Sequence, residues 1–222
     1  MRKGAARTFS LFVLGLLAFG PVADAAVSIG PSGAPAAIAY VTQTASSQPT
    51  IWTIRTDGTQ NTRIGPGFTP LIAPSGQQIA ASLFGANPAN SETGPALAIY
   101  STVGAPTQTY FNLAGETVQP LAWSRDGRYV AVDVLSTKLK NAARLSGLGI
   151  VDVTTGTARM IARGQICGAS FAPNGSDEIV YGRAARQTLT APVNVFRSNA
   201  DGSGTVALTR DGRSLFPLWG PS

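Results

Sequence analysis

The residues able to do chemistry are few in this 222-residue chain, and their types exclude more than they suggest. Histidine is absent. That removes Ser-His-Asp hydrolysis, Cys-His catalysis and nearly every zinc site made from His or from His with Cys. No Gly-x-Ser-x-Gly elbow occurs, and Ser146-Gly-Leu-Gly-Ile150 lacks the third glycine and the following helix of a dinucleotide fold. Of the carboxylates, Asp57, Asp126 and Asp201 fall in turn phrases, where Asp caps its own backbone. Glu92, Glu116, Asp133, Asp152, Asp177, Glu178 and Asp211 form no pair that the sequence sets across a cleft, so two-carboxylate acid/base catalysis is not indicated. Asp201-Gly-Ser-Gly204 lacks the ligand set ending in Glu that a calcium loop needs. No cofactor and no metal is therefore expected, and the chain is read as non-enzymatic. Cys167 is the only cysteine, which rules out an intrachain disulfide; its place in Ile166-Cys-Gly-Ala-Ser-Phe171 is that of an inert core thiol.

Binding is better represented than catalysis. The net charge is +6, yet only 13% of residues are charged and the basic ones are scattered, with no stripe to neutralise a row of phosphates. Nucleic acid is not an expected partner. A mildly basic surface favours a protein or an anionic polymer through long-range attraction. The densest basic segment, Val134 to Leu145, carries Lys138, Lys140 and Arg144 on an insertion between strands. These three, with Arg55 and Arg197 after two apolar strands, are the candidate partner-binding residues. Two further long loops run from Phe84 to Pro95 and from Arg183 to Pro192.

The elements that must position them are legible from a phrase that recurs. Ile29-Gly-Pro-Ser-Gly33, Ile72-Ala-Pro-Ser-Gly76, Trp123-Ser-Arg-Asp-Gly127 and Phe171-Ala-Pro-Asn-Gly175 are four copies, and Trp219-Gly-Pro-Ser222 begins a fifth. Their glycines stand 43, 51 and 48 residues apart, the period of a supersecondary unit. Pro presets φ, Gly accepts φ > 0, and Ser, Asp or Asn bonds the local backbone, so the phrase is a tight turn. An apolar strand follows each full copy: Ile38–Val41, Ile79–Ala81, Tyr129–Val132 and Ile179–Tyr181. A second phrase lies out of phase, in Ile51 to Gly58, Ala98 to Gly104, Gly149 to Gly156 and Asn194 to Gly202. Two interleaved series of one period mean two hairpins per repeat, hence four antiparallel strands. That is the blade of a β-propeller, and the fold class is all-β.

Trp123-Ser-Arg-Asp-Gly-Arg-Tyr-Val-Ala131 and Asn194-Val-Phe-Arg-Ser-Asn-Ala-Asp-Gly202 resemble the two signature halves of the TolB-type, WD40-like (PD40-type) propeller repeat. The resemblance covers nearly everything after residue 28 and implies a rigid scaffold. Such repeats serve envelope scaffold proteins, sensors and the propellers of prolyl oligopeptidase-type enzymes. In TolB proteins the propeller follows an α/β domain, whereas here the repeats start just after the leader.

Residues 1–25 have the form of a secretory signal peptide: Arg2, Lys3 and Arg7, an apolar run from Phe9 to Phe19, and Ala23-Asp24-Ala25 before the cut. Residues 26–222 then form the exported domain, periplasmic or extracellular, with no stable membrane insertion after cleavage. Removing the leader takes three basic residues and Asp24, leaving a charge near +4. One closing scheme has residues 193–222 share a blade with Ile38–Val41 in a four-bladed ring. The preferred expectation is a partial propeller, truncated at the C-terminus inside the turn phrase. The expected function is an exported scaffold for a protein or anionic envelope polymer. The alternative is the propeller portion of a prolyl oligopeptidase-type serine peptidase.

Overall fold

A computed structural model of the chain describes residues 37–43, 48–83, 96–102, 108–111, 117–135, 146–184 and 191–220. The leader, the first turn phrase, Lys138, Lys140 and Arg144 lie outside the described residues. Fifteen strands are present among those described: β1 (Ala37–Thr42), β2 (Thr50–Arg55), β3 (Thr62–Pro66), β4 (Phe68–Ile72), β5 (Gln78–Leu83), β6 (Ala96–Ser101), β7 (Gln108–Phe111), β8 (Thr117–Trp123), β9 (Tyr129–Leu135), β10 (Gly147–Asp152), β11 (Thr157–Arg163), β12 (Gln165–Phe171), β13 (Glu178–Ala184), β14 (Val193–Asn199) and β15 (Val206–Ala207). They form four antiparallel sheets: β1-β2-β3, β4-β5-β6-β7, β8-β9-β10-β11 and β12-β13-β14-β15. These are sheets one to four, each a meander in chain order.

The turn phrases do what their composition requires. Gly76, Gly127 and Gly175 hold φ of 71°, 73° and 80°, the left-handed region where a side chain is strained. The Gly76 amide donates to the Ala73 carbonyl and the Gly127 amide to that of Ser124. In Ser124-Arg-Asp-Gly127 the Ser124 hydroxyl donates to Asp126 (2.6 Å) and accepts from the Tyr129 amide (2.8 Å). Each phrase fixes one register: Ile72 faces Ile79, Trp123 faces Val130, and Phe171 faces Ile179.

Three apolar seams hold the sheets face to face. Sheets one and two meet through Ile51, Ile64, Ile79, Ala81 and Tyr100. Sheets two and three meet through Leu97, Ile99, Val118, Trp123, Val130, Val132 and Val134. Sheets three and four meet through Tyr129, Leu148, Ile150, Phe171, Ile179 and Tyr181. The period-2 alternation of β9 makes this possible, since Val130, Val132 and Val134 face sheet two while Tyr129 and Ala131 face sheet four. A second strand buried on both faces reads as a continuous apolar run, as Tyr129 to Leu135 does apart from Asp133.

Closure differs from the shared-blade scheme. β14 and β15 are the third and fourth strands of sheet four, and β1 pairs with β2. Residues 193–207 therefore complete a blade of their own. The reason is phase: Asn194 to Gly202 is a copy of the second phrase, whose strand follows the second strand of its sheet.

Candidate functional site

The topology sorts the loops by end. Among the described residues, turns join β4 to β5, β8 to β9 and β12 to β13, and likewise β2 to β3, β10 to β11 and β14 to β15. In meanders of one direction these turns lie at one end of the sheets, and the C-terminal ends of β5, β9 and β13 lie at the other. Each end holds one candidate.

At the tight-turn end a cleft of about 210 Å³ opens between sheets one and two, lined by Arg55, Thr53, Gln60, Thr62, Ser101 and Thr102, with Ile54, Ile64 and Ile72 among its walls. Arg55 arrives there by alternation. Ile51, Thr53 and Arg55 share one face of β2, and Ile51 is fully buried against sheet two. Two steps further along, that face passes the end of the apolar seam, and its side chain reaches the rim. The backbone there is fixed: the Arg55 amide donates to the Thr59 carbonyl, and the Gly58 amide to that of Arg55, both at 2.9 Å. Gln60 holds φ of 52°, a left-handed position uncommon for a residue with a side chain. Asp57 is engaged by the Thr59 hydroxyl and amide, which hold its carboxyl below the usual range. The cleft thus presents a guanidinium, hydroxyls and an amide.

Arg197 is placed elsewhere. It forms an ion pair with Glu178 at 3.0 Å on the outer face of sheet four. By register Arg197 stands opposite Val180, whereas Arg55 stands opposite Ala37, which makes Asn199 rather than Arg197 the counterpart of Arg55. The two arginines are not brought together.

At the opposite end Asp133 is buried, 8% exposed, and its Oδ1 has no hydrogen-bond partner. It follows Tyr129 and Ala131 on the face of β9 turned to sheet four. Burial pushes its carboxyl up to about 7. The Cys167 thiol is also pushed up, first by burial and then by the Asp133 charge, which lowers its thiolate fraction. The same seam holds the hydroxyls of Tyr181 and Ser198, buried and without partners. A charged residue inside the run Tyr129 to Leu135 was the sequence signal for this place.

Asp152, Asp201 and Asp211 are held by bonds to their own turns and neighbours. Asp152 accepts from Arg128 (2.9 and 3.0 Å), Thr154 and Thr155; these bonds outweigh the opposing effect of burial and hold it far below the usual range. Asp201 takes the Ser203 amide, and Asp211 the Arg213 amide and the Ser214 hydroxyl. No group of three or more metal-ligating side chains occurs among the described residues.

No family model matches the sequence, and no curated protein matches it. Solved structures do. TolB from Acinetobacter baumannii aligns with a TM-score of 0.59 at 17% identity, over 84% of this chain and 44% of that one. A prolyl endopeptidase aligns at 0.56 and 12%, over 81% of this chain and 29% of the other. The β-propeller domain of the Trilobed protease from Pyrococcus furiosus aligns at 0.53 and 16%, over 79% and 55%. The chain thus spans about half or less of the length of the solved proteins it matches. At these identities the likeness establishes architecture alone: the four antiparallel sheets are blades of a β-propeller fold like those of TolB and of peptidase propeller domains.

Proposed function

We propose that this chain is an exported, non-enzymatic propeller scaffold that binds a protein or polymer partner bearing carboxylates or phosphates. The observation that supports the reading is the cleft between sheets one and two, where Arg55 stands among Gln60, Thr62, Ser101 and Thr102 on a fixed backbone. A pre-organised site loses little entropy on binding, and a guanidinium is the side chain best suited to planar anions. Lys138, Lys140 and Arg144 are the candidates for a second contact. The leader-like residues 1–25 support export.

The test is titration of the purified chain with polyglutamate and with a neutral dextran. Polyglutamate binds, and binding weakens with added salt. Arg55→Ala weakens it about fivefold to tenfold, while Arg197→Ala, already paired within the chain, changes it less than twofold. Equal binding of dextran, or an unchanged affinity in Arg55→Ala, defeats the reading.

A second reading, the propeller portion of a serine peptidase, is supported by the likeness to a prolyl endopeptidase over 29% of that chain. Its test is the coding sequence beyond Ser222: a Gly-x-Ser-x-Gly elbow followed by a His would favour it over the scaffold.

A further inference from the structure

Asp or Asn followed by glycine occurs at Asp57-Gly58, Asp126-Gly127, Asp201-Gly202 and Asp211-Gly212 and, as the chain's one Asn-Gly pair, at Asn174-Gly175. Glycine has no side chain to shield its own amide nitrogen, and that nitrogen can attack the preceding side-chain carbonyl carbon to close a cyclic imide. In a folded chain the reaction depends on whether the nitrogen is already engaged, because a bonded amide must first open. At the four Asp-Gly pairs it is engaged. The Gly58 amide donates to the Arg55 carbonyl (2.9 Å), that of Gly127 to Ser124 (3.0 Å) and that of Gly202 to Asn199 (2.9 Å), while the Gly212 amide donates to Asn194 Oδ1 (2.9 Å).

Asn174-Gly175 differs. In the sister phrase Ala73-Pro-Ser-Gly76 the glycine amide donates to the Ala73 carbonyl, and the same bond here would go to Ala172; among the described residues the Gly175 amide makes no hydrogen bond. Asn174 and Gly175 are both exposed, Gly175 holds φ of 80°, and nothing stands within 4 Å of where a Cβ would be. The electrophile is prepared as well. The Ser176 amide donates to Asn174 Oδ1 at 2.9 Å, which steadies the oxygen where negative charge gathers as the carbonyl carbon is attacked. The product also has a place in the turn. Asp126 occupies the position of Asn174 in sheet three, and accepts from the amide two residues on, Arg128, at 3.0 Å, as Asn174 accepts from Ser176.

We propose that Asn174-Gly175 is a modification site, where the folded chain deamidates without an enzyme to aspartate and isoaspartate. The Gly175 nitrogen gives its proton to solvent and bonds to Asn174 Cγ; the Cγ–Nδ2 bond breaks, and the side-chain nitrogen takes up a proton and leaves as ammonia. Water then opens the imide. Cleavage of the bond from the Gly175 nitrogen to Cγ gives aspartate on an unaltered main chain. Cleavage of its bond to the main-chain carbonyl carbon gives isoaspartate, whose backbone runs through the former side chain. Either product puts a carboxylate on the tight-turn end, next to the Pro173 carbonyl that Arg125 holds from sheet three. Aspartate keeps a turn like that of Asp126. Isoaspartate adds a methylene to the phrase that sets Phe171 opposite Ile179, and loosens that register.

The purified chain and its free tryptic peptide Gly164–Arg183 are held in neutral buffer, and the chain is then digested. The amide-to-acid mass change and methyl transfer by an L-isoaspartyl methyltransferase are read against a zero-time digest. The folded chain converts at a rate within about tenfold of the free peptide's. The four Asp-Gly pairs, each scored against its own free peptide, lag further behind than Asn174. Asn174→Gln, at an exposed position, abolishes the methyl-accepting product in the 164–183 peptide. A folded-chain rate more than about tenfold below the peptide's overturns the proposal, since the turn would then protect the site. So does isoaspartate that persists in Asn174→Gln, and so do Asp-Gly pairs that keep pace with Asn174. These readouts are covalent and independent of anion binding at Arg55.

Discussion

The seam between sheets two and three and the seam between sheets three and four are built from the same repeat and from opposite faces of the same strand, β9. The first is dry and complete: Val130, Val132 and Val134 are fully buried among Leu97, Ile99 and Val118, and the Trp123 indole is bonded to Leu71. The second admits Asp133, Tyr181 and Ser198 with polar atoms that find no partner. A buried polar group without a hydrogen bond costs free energy, so the second seam spends stability that the first keeps. The repeat therefore fixes the stacking of sheets without requiring equal strength at each junction.

The largest way to break the contrast is to give the dry seam a charge of its own. Val132→Asp puts a carboxylate at a site with no exposure and no polar neighbour in its cluster, and is expected to cost more than about 4 kcal/mol, unfolding the domain. Thermal melting by circular dichroism checks it, and a variant that melts like the parent would show that the seams do not differ as described.

Next in size is the pH dependence of the polar seam. The Asp133 carboxyl titrates at about 7 in the fold against 3.8 ordinarily. Between those values the folded chain holds a proton that the unfolded chain has released, so stability falls as pH rises from about 4 to about 7 and then levels. The loss amounts to roughly 4 kcal/mol. Asp133→Asn removes the titration, and its stability profile is flat across that window where the parent's declines. Urea unfolding at intervals of pH measures both, and identical slopes would remove Asp133 as the cause. The smallest effect is at the dry seam's one polar link. Trp123→Phe keeps most of the ring's packing and deletes its bond to Leu71, costing about 1–2 kcal/mol with no change in pH dependence.

Much of this was legible beforehand. Ile38–Val41, Ile79–Ala81, Tyr129–Val132 and Ile179–Tyr181 lie inside β1, β5, β9 and β13, and the glycines of the described turn phrases hold the positive φ expected of them. Both signals are local: a tight turn and a two-residue alternation are specified by neighbours in sequence. Asp57, Asp126 and Asp201 cap their turns for the same reason. Site placement was partly legible. Arg55 does line a cleft, but its companions Ser101 and Thr102 come from sheet two, some 46 residues away in sequence, and no local pattern joins them. Arg197 looked equivalent to Arg55 because both follow an apolar strand; a difference of two register positions sends it to Glu178 instead.

By itself, then, the sequence determined the repeat, the strands, the turns and the lack of catalytic machinery built on histidine, because each is set by residue type and short-range spacing. The tertiary structure alone decided which faces are covered. Stacking four sheets buries Ile79, Val130 and Ile179, leaves Ile38 and Leu218 exposed at the two ends of the stack, and encloses Asp133 where its strand happens to be sandwiched. Burial is a property of neighbours that come from distant parts of the chain, and identical repeats acquire different environments from their position in the stack.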